Sequence, residues 1–150
     1  MFFPTPMSPK CAIYVRRSAN IKPTLAFSEA DCFLGIRLAA DLTIYNLYSP
    51  GRQHAVCHLF HGFRPDKNAI VCGDFNSHHK LWYGRHASEH HKHLSGDSRL
   101  PDKLVEDILA RSLKLLNTPG ENTHYPRNGH SPSIVDLTFA RGQANADVLG

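Results

Sequence analysis

Only one stretch of this sequence carries a sustained helical period: Leu104, Val105, Ile108, Leu109 and Leu113 recur at spacings that gather them on one face of an amphipathic helix. Pro101 suits its first turn, Asp97 or Ser98 can cap it, and the segment from Asn117 to Gly120 ends it. Every other apolar run is short. Residues 11–16, 32–38, 42–48, 69–72 and 134–139 have the β-branched and aromatic content of strands. One amphipathic helix among short strands predicts an α/β domain. The brief Ala39-Ala40-Asp41 break makes residues 32–38 and 42–48 an antiparallel hairpin.

A chain of 150 residues is the size of one domain. Its hydrophobic fraction of 41% supplies a core, and 20% charged residues is too little for a disordered tail. Pro4, Pro6 and Pro9 leave the start unable to hold a helix or a central strand, so residues 1–9 are expected to be a loose arm and residues 10–150 the domain. No run reaches the roughly 18 apolar residues of a membrane span. The first ten residues also lack the basic and apolar parts of a secretion signal, so an intracellular protein without membrane contact is expected. Cys11, Cys32, Cys57 and Cys72 form no CxxC pair, which suits a reducing compartment. The net charge of +4 leans toward anionic partners, yet Lys and Arg cluster no further than pairs such as Arg16-Arg17, and a solvated surface explains them better than a nucleic-acid footprint does.

Two stretches can carry chemistry. In the first, the apolar strand ending at Val71-Cys72 runs into Gly73-Asp74-Phe75-Asn76, which delivers Asp74 to a strand's C-terminal edge, where open α/β sheets place their ligands. Asp74 and Asn76, two apart, project to one side if the chain stays extended. The same four residues also suit a turn with side-chain-to-backbone bonding. In the second, Thr123-His124-Tyr125 is a short strand, and Asp136 lies inside the apolar run Ile134-Val135-Asp136-Leu137, where a carboxylate must find a partner. Hydroxyls at Ser133 or Thr138 could provide one. Residues 53–63 read as a short helix, and residues 75–100 as an irregular, His-rich loop.

Taken in order, Gly73-Asp74-Phe75-Asn76-Ser77-His78-His79 with Trp82 and Gly84, the leucine-rich helix to Asn117, then Thr123 and Ser133-Ile134-Val135-Asp136-Leu137, resemble the endonuclease/exonuclease/phosphatase superfamily, which has the DNase I-like fold. The nearest likeness is to the apurinic-type endonuclease domain of non-LTR retrotransposons. Residues 11–15 and 43–50 fit that domain's middle strands, so the likeness runs from about Lys10 to Arg141. It implies a two-sheet α/β sandwich, of which this chain would hold part, and metal-dependent hydrolysis of phosphodiesters in DNA with Mg²⁺ or Mn²⁺. For a DNA enzyme it also implies a nuclear location. By the same likeness Asp74 orients or activates the attacking water and is a candidate metal ligand, and Asn76 holds the phosphate. Tyr48 is an active-site tyrosine at its strand's end, and Asp136 pairs with a histidine. His78, His79, Trp82, Thr123 and Ser133 follow the family pattern near the site, with Trp82 packing under the loop.

The departures set a second expectation. The family's Glu-bearing strand, which supplies a principal metal ligand, and its closing Ser-Asp-His segment have no match here. A truncated domain with weak or lost hydrolysis, a weakly bound metal and uncovered sheet edges that self-associate is therefore expected. One alternative is a catalytically dead remnant that still binds nucleic acid. Another is a His-rich metal protein, since His86 and His90 have the helical spacing that suits Zn²⁺ or Ni²⁺, with His93 close by.

Overall fold

Six short strands, each too narrow to bury an apolar face alone, share one mixed sheet in the computed structural model, which describes residues 9–29, 31–38, 41–50, 60–87, 91–94, 99–127 and 129–144. The strands are β1 (Thr24–Glu29), β2 (Phe33–Arg37), β3 (Leu42–Tyr48), β4 (Asn68–Asp74), β5 (Lys114–Leu115) and β6 (Asp136–Arg141). Their order across the sheet is β1-β2-β3-β4-β6-β5. The hairpin of β2 and β3 is antiparallel, as expected, with Phe33 opposite Leu47 and Arg37 opposite Thr43. β3 and β4 are parallel, a pairing that needs a crossover, and β4 then meets β6 antiparallel. The α/β class is borne out. The described strands form one sheet of the sandwich that the family likeness implies.

Alternation decides which face is covered. Along β3, Thr43, Tyr45 and Leu47 are buried while their neighbours are half-exposed, and Ala69 and Val71 on β4 and Leu137 and Phe139 on β6 continue that buried face. Onto it packs α3 (Arg99–Ala110), below α1 (Lys80–Tyr83) and α2 (His91–Leu94) in chain order, and Leu104 and Ile108 of α3 join the same core. Phe27, Phe33, Tyr45, Phe60 and Phe63 add a cluster of rings with centroids 4.8 to 6.3 Å apart, edge-on or tilted except for the stacked pair Phe33 and Phe60.

The helix stops earlier than its apolar period. Ser112 takes a left-handed conformation with φ of 54°, its N–H donates to Leu109 O at 2.9 Å, and the Leu113 N–H donates to Ile108 O at 3.2 Å. That is a Schellman ending with a serine where glycine is usual, and Leu113 folds back to bury itself with Ile108. Other differences have local causes. Residues 11–16 form none of the strands, although Cys11 is buried and the Ala12 carbonyl accepts from Asn46 Nδ2 at 2.9 Å. The stretch read as one loop holds α1, α2 and a 3-10 turn at Gly84–His86, each too short to show a period. The expected helix at 53–63 lies mostly outside the described residues, as do the arm at 1–8, the caps Asp97 and Ser98, and His90. Among the described residues no helix is long and apolar enough to cross a membrane.

Candidate active site

The parallel and antiparallel registers on either side of β4 bring three of the expected residues into one row. Tyr48 is opposite Asp74, and Asp74 is opposite Asp136. Glycine makes the row possible. Gly73 has φ of 140°, and a Cβ there would run into the Leu47 carbonyl on β3, so any other residue would push the strands apart one step before Asp74. Asp136 is the first residue of β6 and is exposed, which corrects the expectation of a carboxylate buried inside the strand. The nearby hydroxyl is that of Thr123, whose Oγ1 accepts from the Val135 and Asp136 N–H groups at 3.1 and 3.0 Å and so fixes the backbone at the strand's entry. Asn117 holds the next turn of β6, accepting from Thr138 N at 2.7 Å and donating to Asp136 O at 3.1 Å.

Beyond β4 the chain turns as the Gly-Asp-x-Asn pattern allows. Asp74 Oδ1 accepts from the Asn76 N–H at 2.9 Å, and Asn76 sits in a left-handed conformation with φ of 43° that asparagine tolerates. The turn and the site are therefore one structure. Asn76 Nδ2 donates to Ser49 O at 2.6 Å and, over a longer 3.3 Å, to Asp74 Oδ2. Ser49, just after Tyr48, in turn donates its N–H to Asp74 O at 2.8 Å. Burial pushes the Asp74 carboxyl above its ordinary range, and the neighbouring Asp136 charge adds to the rise, while the Asn76 N–H and His124 pull it back. A carboxylate so placed gains from a nearby cation.

A cavity of about 300 Å³ opens beside this pair, lined by Asp74, Asn76 and Ser133 and by four histidines, His78, His93, His124 and His130. In the sequence His124 stands in the second chemistry-bearing stretch without being singled out as a site residue, and His130 carries no signal. The fold supplies it, by pairing His124 with Ser133 in an isolated bridge that closes a turn over the cavity. His78 Nδ1 is 2.8 Å from the Tyr83 hydroxyl, and its ring stacks on His93 with centroids 4.9 Å apart. His79 points elsewhere: its Nδ1 caps α1 by accepting from Leu81 N at 3.0 Å, and its Nε2 is 3.0 Å from Asp102 on α3. Trp82 is fully buried and donates to Ser77 O at 3.1 Å, a packing role.

Asp74 and Asp136 are hard oxygen donors at adjacent strand ends, and Mg²⁺ is commonly held by one or two carboxylates with water completing its shell. The pair fits such an ion, loosely bound. Among the described residues no group of three His, Cys, Asp or Glu side chains converges into a closed metal set.

Residues 42–149 match the family described as endonuclease-reverse transcriptase. Among solved structures the chain is similar to the endonuclease domain of TRAS1, a telomere-specific non-LTR retrotransposon, with a TM-score of 0.57 and 20% sequence identity over 83% of this chain and 57% of that one. That likeness shows the DNase I-like fold, and the chain spans a little over half of that domain's length. No curated protein matches it.

Proposed function

The chain belongs to the endonuclease-reverse transcriptase family, within the endonuclease/exonuclease/phosphatase superfamily, and from that membership we propose that Asp74, Asn76 and Asp136 hydrolyse phosphodiester bonds of DNA with Mg²⁺ or Mn²⁺. The observation that supports this most is the row Tyr48, Asp74, Asp136, with Asn76 tied into it through Ser49. Asp74, kept partly from water and raised in pKa, is suited to hold the attacking water and accept its proton. Asn76 has one short bond, to Ser49, that fixes the amide, and one long bond, to Asp74, that a phosphoryl oxygen can displace. Asp136 brings a second negative charge to the same edge. A divalent ion bound there supplies charge relief to the phosphoryl oxygens. Tyr48, at the end of β3, borders the scissile group on the side away from Asp136.

Slow hydrolysis is proposed, because among the described residues no third His, Cys, Asp or Glu side chain joins Asp74 and Asp136, and two carboxylates hold a hydrated ion weakly. DNA is the proposed partner and the nucleus the proposed setting. Self-association is proposed through the edge strand β1, whose Leu25 is 57% exposed. Nicking of supercoiled plasmid in Mg²⁺ or Mn²⁺ by the native chain and by Asn76→Ala tests the site. A fall of roughly a hundredfold in the variant is expected, the usual effect of losing one donor to the developing charge. Equal rates would remove Asn76 from the chemistry, and DNA binding with no cleavage by either protein would favour the dead remnant.

A further inference from the structure

The adjacent cations Arg16 and Arg17 gain an aromatic neighbour in the structure. From Lys10 to Arg16 burial alternates residue by residue: Cys11 is buried and Ile13 and Val15 are half-buried, whereas Lys10, Ala12, Tyr14 and Arg16 are exposed. That is the pattern of an extended chain lying on the body of the protein with one side to water. Tyr14 and Arg16 therefore project the same way, about 7 Å apart at twice the rise per residue. Two bonds hold the stretch down. The Lys10 N–H donates to Asp31 O at 2.7 Å, and the Ala12 carbonyl accepts from Asn46 Nδ2 at 2.9 Å. The 3-10 turn at Arg17–Ala19, closed by the Ala19 N–H on Arg16 O at 3.1 Å, then fixes the backbone that carries Arg17.

Tyr14 is 70% exposed, the most open of the large hydrophobic side chains among the described residues. Arg37 is neutralised by Asp66 and Arg111 by Asp107, but among the described residues neither Arg16 nor Arg17 meets a carboxylate. A solvated face needs no ring, and an apolar protein contact would have to strip two unpaired charges of water. Nucleic acid uses both parts. Its phosphates pair with guanidinium groups, and a base whose faces are open stacks on an aromatic ring. In a duplex those faces are already covered by neighbouring bases. We propose that Tyr14, Arg16 and Arg17 form a binding surface for single-stranded nucleic acid, with a base on the Tyr14 ring and phosphates on the two arginines. The stretch begins close to the proposed active site, since Cys32, which follows Asp31, accepts from the Tyr48 N–H at 2.8 Å. Binding there needs neither a metal nor Asp74, so the surface stands apart from the hydrolysis proposed above.

Fluorescence anisotropy of labelled oligo(dT) and oligo(U) with the full chain, over a range of salt and with divalent metal chelated, tests this. The native chain is expected to bind a single strand more tightly than a duplex. Arg16→Gln combined with Arg17→Gln should lower the slope of log K against log salt by about 1.4, at about 0.7 for each phosphate contact on a single strand. Tyr14→Ala should weaken binding roughly tenfold or more and leave the slope alone, and Tyr14→Phe, which keeps the stacking face, should restore it. All three positions are exposed, so the variants keep the native fold. No binding by the native chain, a duplex bound as tightly as the single strand, an unchanged slope in the arginine variant, or equal affinity of native and Tyr14→Ala would each overturn the assignment. Self-association that Tyr14→Ala abolishes while nucleic-acid affinity stays equal would make the surface a protein contact instead. Tighter binding of oligo(dT) would identify DNA as the strand and tighter binding of oligo(U) RNA, and both results uphold the surface. With no metal present, failure here leaves hydrolysis at Asp74 standing, and failure to nick leaves this surface standing.

Discussion

Asp74 and Asp136 are direct cross-strand partners where β4 meets β6, and the charge of Asp136 adds to burial in raising the Asp74 carboxyl. Like charges facing across a ladder destabilise it. A carboxyl with a raised pKa binds its proton more tightly folded than unfolded, so its contribution to stability is fullest below the unfolded value of about 3.9 and is lost as pH rises through the folded value. Asp74→Asn keeps an acceptor for the Asn76 N–H and removes the charge. The variant should melt higher than the native chain at pH about 7, with the gap closing as pH falls through the Asp74 titration. Mg²⁺ should raise the Tm of the native chain and leave that of the variant unchanged. Thermal melts across pH, with and without Mg²⁺, check both.

Gly73→Ala should be among the most damaging single-methyl changes in the chain. It asks alanine to take φ of 140° and places its Cβ against the Leu47 carbonyl. A loss of roughly 3 kcal/mol or more is expected, from backbone strain together with the broken β3 and β4 pairing. Urea unfolding measures it.

His79 is structural in this account, despite its place in the motif. His79→Ala should cost about 1 kcal/mol for the lost cap of α1, and His79→Asn should restore most of it. Burial lowers the His79 pKa, and Asp102 only partly offsets this. The contribution of the neutral ring is therefore present above the unfolded value of about 6.5 and is lost as pH falls through the lower folded value. His79→Asn should flatten that part of the stability profile, as measured by urea midpoints across pH.

How far the sequence reaches is clear from particular elements. β3 is legible to the residue, since Leu42–Tyr48 alternates and one face of it is buried. The α3 face is legible too, though the left-handed Ser112 ends the helix before Leu113 and nothing in a serine announces that role. β1 is hidden, because an edge strand with four of six residues exposed shows no alternation. At the site, Asp74, Asn76 and Asp136 are found from their motifs, while Ser49, His124 and His130 are not. Ser49 acts through its backbone, and the two histidines reach the cavity only through the pairing of His124 with Ser133.

Arg111 ties the end of α3 to the segment around Phe60 and Phe63, which itself seats rings in the core. Arg111→Met removes that tie and leaves the buried Asp107 carboxylate with only the longer ion pair to Lys103 Nζ, at 3.9 Å. A loss of about 3 kcal/mol is expected, a large share of the roughly 5 to 15 kcal/mol that holds a domain folded. Circular dichroism melts would show it.

The central claim is that phosphodiester hydrolysis in this chain belongs to the strand-end carboxylate Asp74. The most direct measurement is the rate of supercoiled plasmid nicking by native protein and by Asp74→Ala, side by side in Mg²⁺ or Mn²⁺ and with the metal chelated. The native chain is expected to nick slowly and only with the metal, and the nicking is expected to disappear in Asp74→Ala and on chelation. Robust nicking that Asp74→Ala leaves unchanged would contradict it and place the chemistry elsewhere in the chain.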